Sequence, residues 1–330
     1  MRLGQEEKYS YFCISKRHTY YNMTLQQMEY IVAVYHHRHF AKAAEQCGVT
    51  QPTLSAMIQK LETELGVKIF ERSPQQVQPT AIGKLIVAQA WRVLSRAKKI
   101  KDIVAEERHA LSGTFKLGIL PTIAPYLLPR FFPDLIRNHP EMDLRVIEMK
   151  TDEIKKALNR GEIDAAILVQ LDGMEEFDTR LLFYEQFIAY VSESDPLSHH
   201  KNIKVADLSN EFLWLLDEGH CFADQLVKFC GLKSARKSQA TYSLGSIETF
   251  MRMVESGWGV TFIPELALEQ LSDRQRRLVK PFAIPIPTRQ LILMTSKTFV
   301  RQSVSDVIVD IVRKCVPEKM LQLNNTEQRI

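Results

Sequence analysis

The sequence predicts an α+β multidomain chain: an N-terminal winged helix-turn-helix, a long linker helix, and a C-terminal two-lobed α/β domain. Three observations predict it. Short amphipathic helices near the front are separated by Gly48, a residue that adopts positive φ without strain. An apolar stripe at three- and four-residue steps runs from Ile82 to Leu111. From residue 112 onward, strand patterns alternate with helix patterns. The expected boundaries are 1–22 for a flexible extension or an over-long start site, 23–80 for the helix-turn-helix and its wing, and 81–111 for the linker. Residues 112–320 form the α/β domain, with lobe I at about 112–184 plus 288–316 and lobe II at about 185–287. Residues 321–330 form a tail.

The first helix is read in LQQMEYIVAVYHH, with Leu25, Met28, Ile31, Val32 and Tyr35 as its stripe. AKAAEQC follows, with Ala41 and Ala44 small enough for close helix contact. The third helix has Thr50 as N-cap, Pro52 in its first turn, and Leu54, Ile58, Leu61 and Leu65 as its inner face. Thr50, Gln51, Pro52, Thr53, Ser55 and Gln59 then fall near its N-terminus or on its polar side. There, short polar side chains can reach base edges while backbone N–H groups face phosphate. A plain three-helix bundle with a solvated face has the same pattern. Val67, Ile69 and Val77 around Ser73-Pro74 read as two short strands, a wing that carries Arg72 toward phosphate or the minor groove.

The stretch FAKAAEQCGVTQPTLSAMIQKLETELGVKIFER resembles the winged helix-turn-helix of LysR-type transcriptional regulators. The family pattern A-x-x-L-x-x-[ST]-Q-P-[AST]-L-S-x-x-I-x-x-L-E-x-x-L-G, then F-x-R, is met by Ala44, Thr50, Gln51, Pro52, Thr53, Leu54, Ser55, Ile58, Leu61, Glu62, Leu65, Gly66, Phe70 and Arg72. Cys47 stands where Leu is common. The resemblance implies double-stranded DNA as partner. It also implies a linker helix that dimerises, a homotetramer built from dimers, and a periplasmic-binding-protein-like effector domain.

Charge alone does not point to DNA. Residues 23–80 carry five basic and five acidic side chains, and residues 81–110 seven basic against three acidic. Thr80 is placed to cap the linker helix, whose apolar residues need a partner on their own domain or on a second copy.

In the α/β domain, FKLGIL, LRVIEMKT, DAAILVQL, FIAYVSES, FLWLLDEG, GVTFIPE and RQLILMT read as strands. PYLLPRFFPDLIRN, DEIKKALNRGEI, residues 222–229, SIETFMRMVE and VSDVIVDIVRK read as helices. Ligands in such folds sit at strand ends in the cleft between lobes. No GxGxxG, P-loop, HExxH or GxSxG pattern occurs, and the reading is not an enzyme. No apolar run approaches the roughly 18–20 residues that span a bilayer, and the first 22 residues lack the apolar core of a signal peptide. Five cysteines without a paired framework suit a reducing cytoplasm.

Two of those cysteines bracket GHCFADQLVKFC. A helix over 222–229 would set the Cα atoms of Cys221 and Cys230 roughly 13 Å apart, whereas a disulfide needs about 4.4–6.8 Å. Either the pair never bonds or the helix melts when it does. A thiolate is favoured at a helix N-terminus, so Cys221 would attack first and Cys230 resolve. Two buried structural cysteines fit the same spacing. A metal site fits it poorly, because His220 adjoins Cys221 and no second cluster exists.

The pattern G-H-C-x-x-D-x-x-x-x-F-C, met by Gly219, His220, Cys221, Asp224, Phe229 and Cys230, resembles the peroxide-sensing branch of the same family, as do RHFAKAAEQC and LPTIAPYLLP. This resemblance implies Cys221 as the peroxidatic and Cys230 as the resolving cysteine, and Thr122 as a hydrogen-bond partner of peroxide. Thr151 would assist through water, and His220, Asp224 and Arg289 would shape the pocket. It implies no cofactor and no metal, hydrogen peroxide as signal, a thiol reductant of the glutaredoxin or thioredoxin type, and RNA polymerase as a further candidate partner. Three rival readings stand beside it: a regulator that binds a metabolite in the cleft with incidental cysteines, a thiol peroxidase with an appended DNA-binding domain, and a solute-binding protein.

Overall fold

The structure is a computed structural model that describes residues 22–72, 77–108, 111–216, 221–231 and 246–330; the side chains of Arg72, Asn210 and residues 221–224 are outside the description. The expected extension, apart from Asn22, the Ser73-Pro74 turn and His220 therefore lie outside the described residues. The chain forms two compact units, one ending at Leu94 and the other running from Ser95 to Ile330.

The first unit contains α1 (Leu25–His37), α2 (Phe40–Gln46), α3 (Gln51–Leu65), β1 (Phe70–Arg72), β2 (Val77–Pro79) and the start of α4 (Ala81–Glu107). Thr24 caps α1 through a reciprocal pair with Gln27. Gly48 turns α2 toward α3 at φ 65°. Ile31, Val34, Ala43, Ala44, Leu54, Ile58, Leu61 and Ile69 build the core. Five of the residues expected on the inner faces differ from expectation. Leu25 and Ala41 are exposed, and Met28, Tyr35 and Leu65 are half-buried at the edge of the core; Ala43, beside Ala44, fills the buried face of α2 in place of Ala41.

β1 and β2 pair antiparallel as the wing. Glu62 is buried, and its carboxylate accepts the N–H groups of Ile69 (2.8 Å) and Phe70 (3.2 Å) and the Lys68 ammonium (3.0 Å). That carboxylate ties α3 to the wing. Thr80 caps α4 by accepting from Gly83 N–H at 2.8 Å. A Cβ on Gly83 would lie 2.0 Å from the Ile69 carbonyl oxygen, so only glycine permits this approach.

The second unit contains β3 (Gly113–Ile119), α5 (Ala124–Asn138), β4 (Met142–Glu148), α6 (Thr151–Arg160), β5 (Ala165–Val169), β6 (Phe177–Val191), α7 (Cys221–Phe229) and α8 (Ile247–Glu255). It continues with β7 (Val260–Pro264), α9 (Asp273–Arg276), β8 (Val279–Lys280), β9 (Ile286–Ser296), α10 (Gln302–Cys315) and β10 (Glu327–Arg329). The sheet runs β4-β3-β5-β9-β6-β7, with β8 on β6 and β10 on β9. β3, β4 and β5 are parallel, and β9 runs antiparallel between β5 and β6. The first part of β6 pairs with β9 and the last part with β7 and β8, so one strand serves both lobes. β9 does return to the first lobe.

Two strands depart from expectation. The segment read as FIAYVSES begins ten residues earlier, at Phe177, because a register shift between Leu181 and Phe183 breaks the alternation that marks a strand. The described part of FLWLLDEG forms a single bridge, Leu213 to Val260. Its aromatic side chains pack as a cluster instead: Phe212 stacks on Trp258 at 4.2 Å, and Trp214 lies across both. The last ten residues are a docked tail, with β10 parallel to Ile286–Thr288 and Gln225 of α7 donating to the Ile330 carbonyl.

Candidate functional site

At the front of the molecule, Thr50 Oγ1 accepts from Thr53 N–H at 3.4 Å and opens α3. Thr50, Gln51, Pro52, Thr53 and Gln59 are exposed and Ser55 is half-buried, so the helix presents the predicted polar set at its N-terminal turns. Gln27 is buried behind α3 and donates to the Met57 carbonyl. The Arg72 backbone lies in the wing, paired with Val77.

In the second unit, Cys221 is the first residue of α7 and Cys230 follows its last, with Cys230 N–H bonded to Leu226 O at 2.8 Å. The helix therefore separates the two Cα atoms by roughly 13 Å. Cys230 is a free thiol, 8% exposed, among core residues that include Leu226. Burial pushes its pKa up to about 11, so it stays protonated at neutral pH. The side chains of Cys221 and Asp224, with all of His220, lie outside the described residues.

Thr122 and Arg289 come together. Arg289 is 1% exposed on β9. Its Nη1 donates to Thr122 Oγ1 (3.3 Å) and its Nη2 to the Thr122 carbonyl (3.2 Å). Its Nε donates to Glu185 Oε2 at 2.9 Å, and Nη2 approaches the same oxygen at 2.6 Å. Glu185 Oε1 accepts the Leu266 N–H at 3.1 Å. Burial raises the Glu185 pKa, against the pull of the Arg289 guanidinium and of that N–H. Sequence reasoning missed Glu185; a carboxylate inside a strand carries no local sign that its partner is an arginine one strand away.

Thr122 lines a cavity of about 60 Å³ with Pro121, Tyr126, Leu216, Ile247 and Glu248. A water needs only about 10–15 Å³ of such space, so a molecule of two oxygen atoms fits. Thr151 follows β4 as Thr122 follows β3, two parallel strands paired with Ile119 opposite Glu148. It starts α6 and lines an open groove of about 1030 Å³, with Gln225 and Phe229 of α7, Gln290 and Ile330. Its Oγ1 is buried without a hydrogen-bond partner among the described residues. The structure thus pairs Thr122 with Arg289. Among the described residues, no group of His, Cys, Asp and Glu could hold a metal ion, and no helix is long and apolar enough to cross a membrane.

Residues 25–84 match the family description "Bacterial regulatory helix-turn-helix protein, lysR family", and residues 108–315 match "LysR substrate binding domain". The chain is 36% identical to a hydrogen peroxide-inducible genes activator of Dickeya chrysanthemi, over 82% of this chain and 89% of that one. It is 35% identical to the DNA-binding transcriptional dual regulator OxyR of Escherichia coli K12, over 82% and 88%. A full-length OxyR variant from Pseudomonas aeruginosa superposes with a TM-score of 0.74 at 36% identity, covering 92% of this chain and 99% of that one.

Proposed function

From the premise that the chain belongs to the lysR family of bacterial regulatory proteins, which are transcription regulators and not enzymes, we propose that it binds DNA and senses hydrogen peroxide through Cys221 and Cys230. The observation that carries this is the helix between the two cysteines. It holds Cys221 at an N-terminus, which favours the thiolate, and buries Cys230 as a thiol at the other end.

In this reading the Cys221 thiolate attacks one peroxide oxygen and the O–O bond breaks. Cys221 becomes a sulfenic acid, and hydroxide leaves and takes up a proton as water. The Cys230 sulfur then attacks the Cys221 sulfur, a second water leaves, and the disulfide forms. The Cα separation forbids that bond while α7 is intact, so the helix must unwind. A two-electron thiol reductant of the glutaredoxin or thioredoxin type reverses the step.

Thr122, Thr151, His220, Asp224 and Arg289 shape the peroxide site. Thr50, Gln51, Pro52, Thr53, Ser55, Gln59 and Arg72 face double-stranded DNA. The protein works in the cytoplasm as a homodimer or a homotetramer built from two dimers and passes its signal to RNA polymerase.

The test is DNA footprinting of reduced and peroxide-treated protein beside Cys221→Ser and Cys230→Ser, with a thiol count by mass. Treatment should consume two thiols and change the footprint in the native chain, with no footprint change in Cys221→Ser. An unchanged thiol count and footprint in the native chain rejects the reading. The groove of about 1030 Å³ favours a second reading, a small-molecule effector. That one predicts a footprint that changes with ligand in Cys221→Ser as well.

A further inference from the structure

Arg289 is almost wholly buried, and a buried guanidinium needs a fixed counter-charge. Glu185 supplies it, and Glu185 is itself held. One oxygen takes two nitrogens of Arg289, and the other takes the Leu266 N–H just beyond β7. β6 and β9 pair with Glu185 directly opposite Arg289. The carboxylate therefore sets the rotamer of the guanidinium: Nη2 is shared between Glu185 and the Thr122 carbonyl, and Nη1, beyond it, reaches the Thr122 hydroxyl.

The direction of that last bond has a chemical consequence. A threonine hydroxyl has one proton to give and lone pairs to accept with. Arg289 can only donate, so Thr122 Oγ1 accepts, and its own proton points elsewhere. Thr122 also lines the cavity of about 60 Å³.

We propose that Glu185 is a positioning residue: by fixing Arg289 it keeps Thr122 turned as a hydrogen-bond donor into that cavity, where the donated proton supports the oxygen that leaves when peroxide is cleaved. The proposal rests on the peroxide reading above. It adds a residue that touches neither thiol nor peroxide and acts through two others. A donor aimed at developing negative charge accelerates a step far more than it strengthens binding. Loss of the aim therefore appears in the rate of peroxide cleavage and leaves the nucleophilicity of Cys221 alone.

The experiment uses the full-length reduced protein with Cys230→Ser as background, so that oxidation stops at Cys221. The second-order rate of sulfenic acid formation with hydrogen peroxide is measured beside the rate of Cys221 alkylation by iodoacetamide, which has no O–O bond to polarise. Glu185→Gln should slow peroxide by about tenfold or more and leave alkylation, with its pH profile, unchanged. Thr122→Val should do the same, and the double variant should be no slower than Thr122→Val alone.

Equal slowing of both reactions marks a merely structural role and overturns the proposal. So does a peroxide rate in folded Glu185→Gln equal to the parent's, or additive losses in the double variant. If Glu185→Gln does not fold, Glu185→Asp replaces it under the same criteria, and unchanged peroxide oxidation in Thr122→Val overturns the proposal by itself. Failure of the underlying reading is distinct: the parent protein would then show no peroxide reaction at Cys221 at all.

Discussion

Cys230 and Glu62 show how much a single side chain can carry when it is buried. The Cys230 thiol is shielded at the end of α7 and its pKa is raised to about 11. In the native reduced protein it should resist iodoacetamide at pH 8, while denatured protein alkylates it within the same exposure; peptide mass spectrometry reads both. Glu62 replaces water for two wing N–H groups. Glu62→Ala leaves both unpaired and should cost about 2–3 kcal/mol, read as a lower denaturant midpoint of the N-terminal unit. Neither property was legible beforehand. A glutamate four residues from a helix end looks solvated until the chain beyond it turns back. The Thr50 cap and the Gly48 turn were legible because their chemistry is local.

Helix α7 is amphipathic, and its Leu226 and Gln225 are buried, the latter bonded to the docked tail. If Cys221 and Cys230 join, this helix cannot persist. Peroxide treatment should therefore raise amide hydrogen exchange across 222–229 and, through the Gln225 bond, across 327–330. Protection that stays unchanged after two thiols are lost contradicts the proposed switch. Helix α4 carries Leu85, Ile100, Ile103 and Val104 half or more exposed, so it holds an apolar stripe that its own chain leaves open. Leu85→Glu with Ile100→Glu should lower the sedimentation mass while far-UV circular dichroism stays constant. Periodicity found both helices to within a few residues. It failed at Phe177–Gln186, where a bulge hides the strand, and at Phe212–Leu216, where aromatic packing replaces strand pairing.

For the molecule as a whole, titration and topology set the limits. Cys230 and Cys315 are both raised by burial from 9.0 to about 11. A thiol with a raised folded pKa contributes stability that is complete below about pH 9, because unfolded and folded chains are then equally protonated. Between about 9 and 11 the unfolded chain releases its protons first, and that stability is lost. The melting temperature should fall across this window, and less steeply in Cys230→Ser. The two-lobed plan was visible from alternating patterns, and the return of the last long strand was visible with it. That β6 serves both lobes was not, since pairing partners lie far apart in sequence.

The position of β9 between β5 and β6 also governs how the protein is made. β5 ends at Val169 and the paired part of β6 at Gln186, yet both take their shared neighbour from Ile286–Ser296. On the ribosome, those two edges wait with open backbone groups while the whole of lobe II is translated. Long-range pairing of this kind is slow to form and exposed to aggregation, so newly made chains arrested before Ile286 should be the species that chaperones hold.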